Sequence, residues 1–320
     1  RPDIDQVYMN AVQLMNGNGG WPLNVVTLPD GRPIWGGTYF SKDQWMSALS
    51  QIIEIYEKEP EKFILYADRV QEGINSLNII NSEIDNFESI DLVKYSEKLI
   101  NNVDLEYGGF KGAPKFMMPS NLDFLLRYSV QEKNIKAQNI ILKTLDKMAY
   151  GGIFDHVEGG FSRYSTDEKW HIPHFEKMLY DNGQLMSLYS KGYKISNKRL
   201  YKKIVYKIHE YIHSEMKDNT GGFYSSLDAD SKINDSTYIE GAYYSWEFSE
   251  LQNLIEEDFE LFSDYFNINE YGYWKEENKY VLINSLSDSE FISKHNLSEK
   301  AFDKKLSNWT NLLKEAKKNK

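Results

Sequence analysis

The sequence predicts a mainly helical chain of repeated helical hairpins, arranged as a toroid and preceded by a small α/β module. Three observations carry this. Beyond residue 88, apolar residues recur at helical spacing in one segment after another. A glycine-glycine-apolar loop returns near the ends of those segments, as Tyr107-Gly108-Gly109-Phe110, Gly151-Gly152-Ile153, Gly159-Gly160-Phe161 and Gly221-Gly222-Phe223, with Asp104 and Asp218 ahead of the first and last. Before residue 78, one strand-turn-strand pattern lies between helical stretches. A loop that recurs after helical hairpins predicts an αα repeat with its loops gathered at one end. Plain capping of helix ends by glycine is the alternative.

In chain order, Val7, Ala11 and Leu14, flanked by Tyr8, Val12 and Met15, predict a first helix. It stops at the loop Asn16-Gly17-Asn18-Gly19-Gly20. That loop leads into a strand, so it lacks the helix-start amides of a phosphate cradle. After Trp21-Pro22 comes an apolar strand over 23–28, a Pro29-Asp30-Gly31 turn and a second strand from about Ile34 to Tyr39. Ser41 with Gln44 is a capping-box signature, and Trp45, Leu49, Ile52 and Tyr56 mark the helix behind it. A further helix starts at Pro60, where a missing N–H is no loss, and carries Phe63, Ala67, Val70, Ile74 and Leu77. The polar stretch from Asn78 to Glu88 is the expected domain boundary, separating a module over 1–80 from one over 85–320. In the second module helices are expected near 89–103, 120–131, 135–149, 177–195, 199–216, 248–257 and 299–317. A short β-like excursion is expected over Tyr273 to Asn284.

Composition narrows the function. The 320 residues contain no cysteine, which excludes thiol nucleophiles, redox dithiols and thiolate metal sites within this chain. With 48 acidic against 37 basic side chains and a net charge of −11, a protein that grips nucleic acid through phosphate contacts is not expected. No apolar run is long enough for a membrane span, which favours a cytoplasmic location. The start at Arg1-Pro2 suggests an internal fragment, with targeting signals upstream.

The densest chemistry lies between Gly151 and Gln184. That segment holds His156, His171 and His174 with Arg163, Tyr164, Trp170, Glu176, Tyr180 and Asp181. Aromatic faces for C–H surfaces, beside carboxylates, imidazoles and a guanidinium for hydroxyls, suit a sugar pocket. A solvated loop with satisfied charges is the bland reading. Lys177 and Asp181 are spaced as an ordinary (i, i+4) ion pair, or Glu176 and Asp181 project from a helix start into a cavity. His171-Ile172-Pro173-His174 has the look of a metal motif, but Pro173 opposes a helix and no third ligand stands at a set spacing, so no metal is expected. Asp228 and Asp230 form a second cluster, either a carboxylate pair or an Asx-turn.

Several longer motifs agree in order. They are Arg1-Pro2-Asp3-Ile4-Asp5, Gly19-Gly20-Trp21-Pro22, Gly36-Gly37-Thr38-Tyr39-Phe40, the run Gly109 to Phe116, the run Trp170 to Asn182, and Asp228-Ala229-Asp230-Ser231. Together they resemble the thioredoxin domain-containing proteins of the spermatogenesis-associated type. The resemblance implies a thioredoxin-like domain, here its rear part, joined to an (α/α)6 toroid, here about its first half. That toroid is related to N-acylglucosamine 2-epimerase and the six-hairpin glycosidases. It implies a Cys-x-x-Cys-type motif upstream of Arg1, with Pro22 as the cis-proline beside it.

Two chemistries follow from the resemblance. In the epimerase manner, His156 and His174 exchange a proton beside a sugar carbonyl, with Arg163 stabilising the enolate. In the glycosidase manner, Glu176 or Asp181 works opposite Asp228 or Asp230. Tyr164, Trp170, His171 and Tyr180 complete the expected sugar-binding set. The expected partners are a small carbohydrate and the remaining parts of the full-length protein, with no cofactor. The rival expectation is a non-catalytic or redox-regulatory thioredoxin-like protein whose toroid binds a sugar or a protein.

Overall fold

The structure, a computed structural model, describes residues 1–77, 91–234, 237–318 and 320. The boundary expected over 78–88 lies outside the described residues. The chain divides into two compact units, Arg1–Ser89 and Ile90–Lys320.

In the first unit, helix α1 (Pro2–Asn16) ends on Gly17 in the left-handed conformation and is followed by the antiparallel hairpin β1 (Asn24–Thr27) and β2 (Pro33–Gly37). Helices α2 (Lys42–Lys58) and α3 (Pro60–Leu77) follow, and the Ser41–Gln44 capping box starts α2. Ala11 packs with Val70 and Ile74, and Leu28 and Ile34 pack with Ala67. The buried face of α1 is Met9, Ala11 and Val12. Val7 and Leu14, expected on that face, are exposed. The error is one of phase: both flanking residues are apolar, so two adjacent stripes matched the helical period equally well. The Trp21–Pro22 peptide is cis.

The second unit is helical. Its helices are α4 (Leu92–Asn101), α5 (Pro119–Gln131), α6 (Ile135–Tyr150), α7 (Leu179–Ser196), α8 (Arg199–Tyr211), α9 (Phe248–Ile255), α10 (Phe259–Phe266), α11 (Asp288–Lys294) and α12 (Glu299–Lys317). A π-helical turn, Ile212–Met216, extends α8. Neither α10 nor α11 is expected from apolar periodicity, because each is only about two turns long; α11 nevertheless carries a Ser287–Glu290 capping box. Two large cores fill the unit, beside a smaller cluster of Phe175, Ala229 and Val281. One joins α5, α6, α7 and α8 around Ile141, Leu145, Leu185 and Tyr189, and the other surrounds Phe262, Phe291, Phe302 and Trp309.

Short strands stitch the inter-helix loops together. Strands β3 (Lys115–Phe116), β4 (Tyr164–Ser165) and β5 (Pro173–His174) form one sheet, so the loop after α4 pairs with the loop after α6. Strands β6 (Lys177–Met178) and β7 (Ser226–Leu227) join the loop after α6 to the loop after α8. The hairpin β8 (Asp230–Asn234) and β9 (Thr237–Glu240) comes next, and β10 (Tyr273–Trp274) pairs with β11 (Lys279–Tyr280). The helices of this unit thus have these connecting loops gathered together.

A buried lysine clamps two of the glycine loops, those of Gly108-Gly109 and Gly159-Gly160. After α4, the Asp104 carboxylate accepts the N–H groups of Glu106 and Tyr107, and Lys115 Nζ donates to Asp104 Oδ2 at 2.7 Å and to the Gly108 carbonyl at 3.0 Å. After α6, Asp155 accepts the N–H groups of Val157 and Glu158, and Lys177 Nζ donates to Asp155 Oδ2 and the Gly159 carbonyl, both at 2.9 Å. Gly159 and Gly160 have φ of +88° and +79°, and a β-carbon there would lie 2.4 Å from the Lys207 carbonyl and 2.5 Å from the Tyr211 ring. Asp155, four residues ahead of its glycine pair as Asp104 is, is therefore the true counterpart of Asp104. Asp218 stands three ahead and caps Thr220 and Gly222 on the surface.

The clamp also removes the expected Lys177–Asp181 pair. The Lys177 side chain is 1% exposed and precedes α7 on β6, so it is spent on Asp155. Lys317, equally buried on α12, reaches Asp155 and Glu158 at 3.2 Å each. Burial raises the Asp155 pKa, but the attraction of Lys177 and Lys317 outweighs it and holds the carboxyl well below the usual carboxylate range. Removing one member of a buried ion network strands the others, at about 3–5 kcal/mol. Asp155→Asn is expected to lower unfolding stability in urea by that amount, and Asp218→Asn, on the surface, to lower it far less. Equal, small losses in both would contradict the clamp.

Candidate functional site

Between Pro173 and Met178 the chain is extended and its burial alternates. Pro173, Phe175 and Lys177 are buried, while His174, Glu176 and Met178 are partly exposed. Successive side chains of an extended segment point to opposite faces. One face therefore delivers Lys177 to the clamp, and the other presents His174 and Glu176 together.

The exposed face is organised by aromatic stacking and charge. His174 lies on Tyr164, its cross-strand neighbour, with ring centroids 5.0 Å apart and 16° between planes. Tyr164 packs in turn against Phe116 on the next strand at 4.9 Å. His174 Nδ1 is 2.7 Å from Glu240 Oε1, and its Nε2 is 3.9 Å from Glu176 Oε2. Arg163 donates a 2.8 Å hydrogen bond to Glu176 Oε2, and its backbone N–H donates to the Glu176 carbonyl. This guanidinium–carboxylate contact keeps the Arg163 pKa high.

Asp181 sits in the first turn of α7 and is buried. Burial, helped by the charge of Glu176 and opposed by Arg163, pushes its carboxyl up to about 6 from the ordinary 3.8. Tyr180 is exposed beside Arg163. On the next turn of α7, Gln184 Oε1 accepts a hydrogen bond from the Ser120 hydroxyl of α5. The helix start thus brings Arg163, Tyr164, His174, Glu176, Tyr180 and Asp181 into one neighbourhood.

The other candidates are placed differently. Asp230 is exposed and lies opposite Glu240 in the β8–β9 ladder, so it borders the cluster without joining its hydrogen bonds. Asp228 is also exposed, and its carboxylate accepts the Asp230 N–H, the Asx-turn reading. Trp170, expected to bind sugar, is fully buried with a left-handed φ of +66°; its indole N–H donates to the Tyr107 carbonyl at 3.0 Å, and the ring packs beneath Gly109. It is a core residue of the glycine loop. His171 turns inward, its Nε2 buried without a hydrogen-bond partner among the described residues, and burial lowers its pKa. His156 lies between Phe154 and Phe266, contacts the Gly151 carbonyl, and is driven down to about 4 by burial. It does not face His174, so the two-histidine arrangement is not assembled.

Glu240 is the contact the sequence reading misses. It stands 66 residues from His174, and nothing local to it signals the pairing. Among the described residues no group of three or more His, Cys, Asp or Glu is placed to hold a metal ion. Among them, too, no helix is long and apolar enough to cross a membrane.

Residues 1–75 match a family model described as Thioredox_DsbH, protein of unknown function, DUF255. Uncharacterized protein B0495.5 of Caenorhabditis elegans is 35% identical over 332 residues, covering 93% of this chain and 44% of that protein. Spermatogenesis-associated protein 20 is 37% identical in Homo sapiens and 38% in Mus musculus, each over 271 residues, 80% of this chain and 34% of the relative. The chain thus spans less than half the length of these relatives. Among solved structures, cellobiose 2-epimerase from Bacillus thermoamylovorans B4167 aligns at 9% identity with a TM-score of 0.32, over 70% of this chain and 72% of that one. That superposition is too loose to assign a fold or an activity.

A carboxyl with a higher pKa folded than unfolded binds extra protons in the fold between the two values. The stability Asp181 contributes is full below about pH 4 and is lost as pH rises through about 6. Asp181→Asn is therefore expected to gain stability relative to wild type across that window, measured by urea unfolding at stepped pH. A constant difference from pH 4 to 7 would show that Asp181 titrates ordinarily.

Proposed function

We propose that this chain, a homologue of spermatogenesis-associated protein 20 with a thioredoxin-like DsbH-type segment at its start, acts on a small carbohydrate at the cluster around Asp181. The observation that supports this most is the pairing of unlike carboxyl groups. Asp181 holds its proton toward neutral pH, while Glu176 is fixed by Arg163. Two carboxyl groups with environments that differ in this way are suited to acid and carboxylate roles at one bond.

In this reading Asp181 donates a proton to the oxygen that leaves as the glycosidic C–O bond breaks, and water then adds to the sugar carbon, its proton returning to Asp181. Glu176, held by Arg163, stabilises positive charge developing at the adjacent carbon. His174, oriented by Glu240 and stacked on Tyr164, binds a hydroxyl or relays a proton. Tyr164 and Phe116 offer flat faces for sugar C–H surfaces. Glycosidase-like chemistry is favoured over a two-histidine epimerisation because His156 packs against Phe154 and Phe266 while His174 is held by Glu240 and Tyr164. A second reading, a redox-regulatory protein whose helical unit only binds a sugar or partner, draws on the thioredoxin-like match of residues 1–75. With no cysteine here, its thiols would come from outside residues 1–320.

A panel of neutral disaccharides and free sugars, assayed with the full-length protein, tests the proposal. Asp181→Asn is expected to lower kcat/KM by about 10²–10⁴-fold. Asp228→Asn, on an exposed turn, is expected to change it less than about threefold. Turnover unchanged in Asp181→Asn would remove the proposed acid. Deuterium entering the carbon beside the sugar carbonyl, without hydrolysis, would favour epimerisation instead.

A further inference from the structure

A cleft of about 310 Å³ opens between α8 and α12, bordered by none of the residues of the Asp181 cluster. Its volume is at the lower end of small-molecule sites. The floor is aromatic: Phe154, His156, Tyr265 and Phe266 all line it. The walls carry Lys203 and Lys207 from α8 and Lys314 from α12.

Three lysines and three carboxylates line the cleft, and two of those carboxylates are committed to contacts of their own. Asp288 is engaged by Lys203 at 3.2 Å and by the Tyr265 hydroxyl at 2.7 Å, and Asp303 by Arg199 at 2.9 Å. Glu210 lies exposed on the lining. Lys207 and Lys314 have no ion-pair partner among the described residues. Lys207 Nζ instead donates to the carbonyls of His156 at 3.0 Å and Val157 at 3.3 Å. An ammonium has three N–H donors, so one remains for a ligand. Burial, with repulsion from Lys203 and Lys314 partly offset by Asp155 and Glu210, brings Lys207 down to about 8, which leaves it mostly charged at neutral pH.

We propose that this cleft binds a small organic oxyanion, a carboxylate or phosphate monoester on a flat apolar body. Lys207 and Lys314 take the charged group, and the ring floor of Phe154 and Phe266 takes the body. The imidazole of His156, kept neutral by burial, contributes packing without adding charge. The inference is independent of the sugar reading, since it shares no residue with that cluster.

Calorimetric titration with phenyl phosphate, benzoate and phenol tests it. Saturable binding of phenyl phosphate or benzoate is expected, and which of the two binds tighter assigns the head group. Phenol, which lacks the charge, is expected to bind at least about tenfold more weakly. Lys207→Met and Lys314→Met are each expected to weaken the charged probe about tenfold or more, and Lys202→Met, exposed on α8, to leave it unchanged. Because Lys314 is only half-buried, its variant keeps the test alive should Lys207→Met fail to fold. Equal affinity for phenol, unchanged affinity in Lys314→Met, or no saturable binding of either anion would overturn the proposal.

Discussion

The attachment of a buried lysine to an aspartate and a glycine carbonyl is the contact on which the helical unit depends. Lys115 fixes Asp104 and Gly108, and Lys177 fixes Asp155 and Gly159. An ammonium excluded from water is tolerated only if its donors are met and its charge is opposed. The loop supplies both, through a carboxylate that is itself satisfied by backbone N–H groups. The left-handed glycines let the loop carbonyl come back to the lysine. Because the two lysines lie on β3 and β6, each clamp ties the loop after one helical hairpin to a short strand ahead of the next helix.

The location of the Asp181 cluster follows from that tie. Once Lys177 is committed to the interior, alternation along the extended chain turns Glu176 and His174 outward, and α7 starts at once behind them. Asp181 then falls in the first helical turn, close enough to Glu176 and Arg163 for their charges to act on it. Asp155 and Asp181, 26 residues apart, show how environment separates one residue type into two roles. Two lysines keep the first ionised, and burial without a comparable pair raises the second. The loop after α6 and the first turn of α7 thus contain a structural carboxylate and a protonatable one.

Much of this architecture was legible in the sequence for a physical reason. The long helices of the second unit carry regular apolar stripes, and the recurring glycine pairs mark the loops between them. The charge geometry was less legible. Lys177 matched a surface ion-pair spacing, and only the alternation of Pro173, Phe175 and Lys177 with His174 and Glu176 hints that it points inward. Trp170 looked like a sugar platform because an aromatic in a polar loop suggests exposure, but its indole N–H has a buried carbonyl to meet. His156 and His174 appear equivalent as letters, and only packing separates an imidazole between two phenylalanines from one held by Glu240. The contacts that decide protonation lie between residues far apart in the chain.

The claim that Asp181 is a proton-holding carboxyl beside a fixed carboxylate is tested most directly by following its side-chain carbon through a pH titration by NMR, with Asp181→Asn to assign the signal. A midpoint near 6 in the wild type is predicted, moving toward the ordinary carboxylate range in Glu176→Gln, where the neighbouring negative charge is gone. A midpoint near 4 in the wild type would contradict the account.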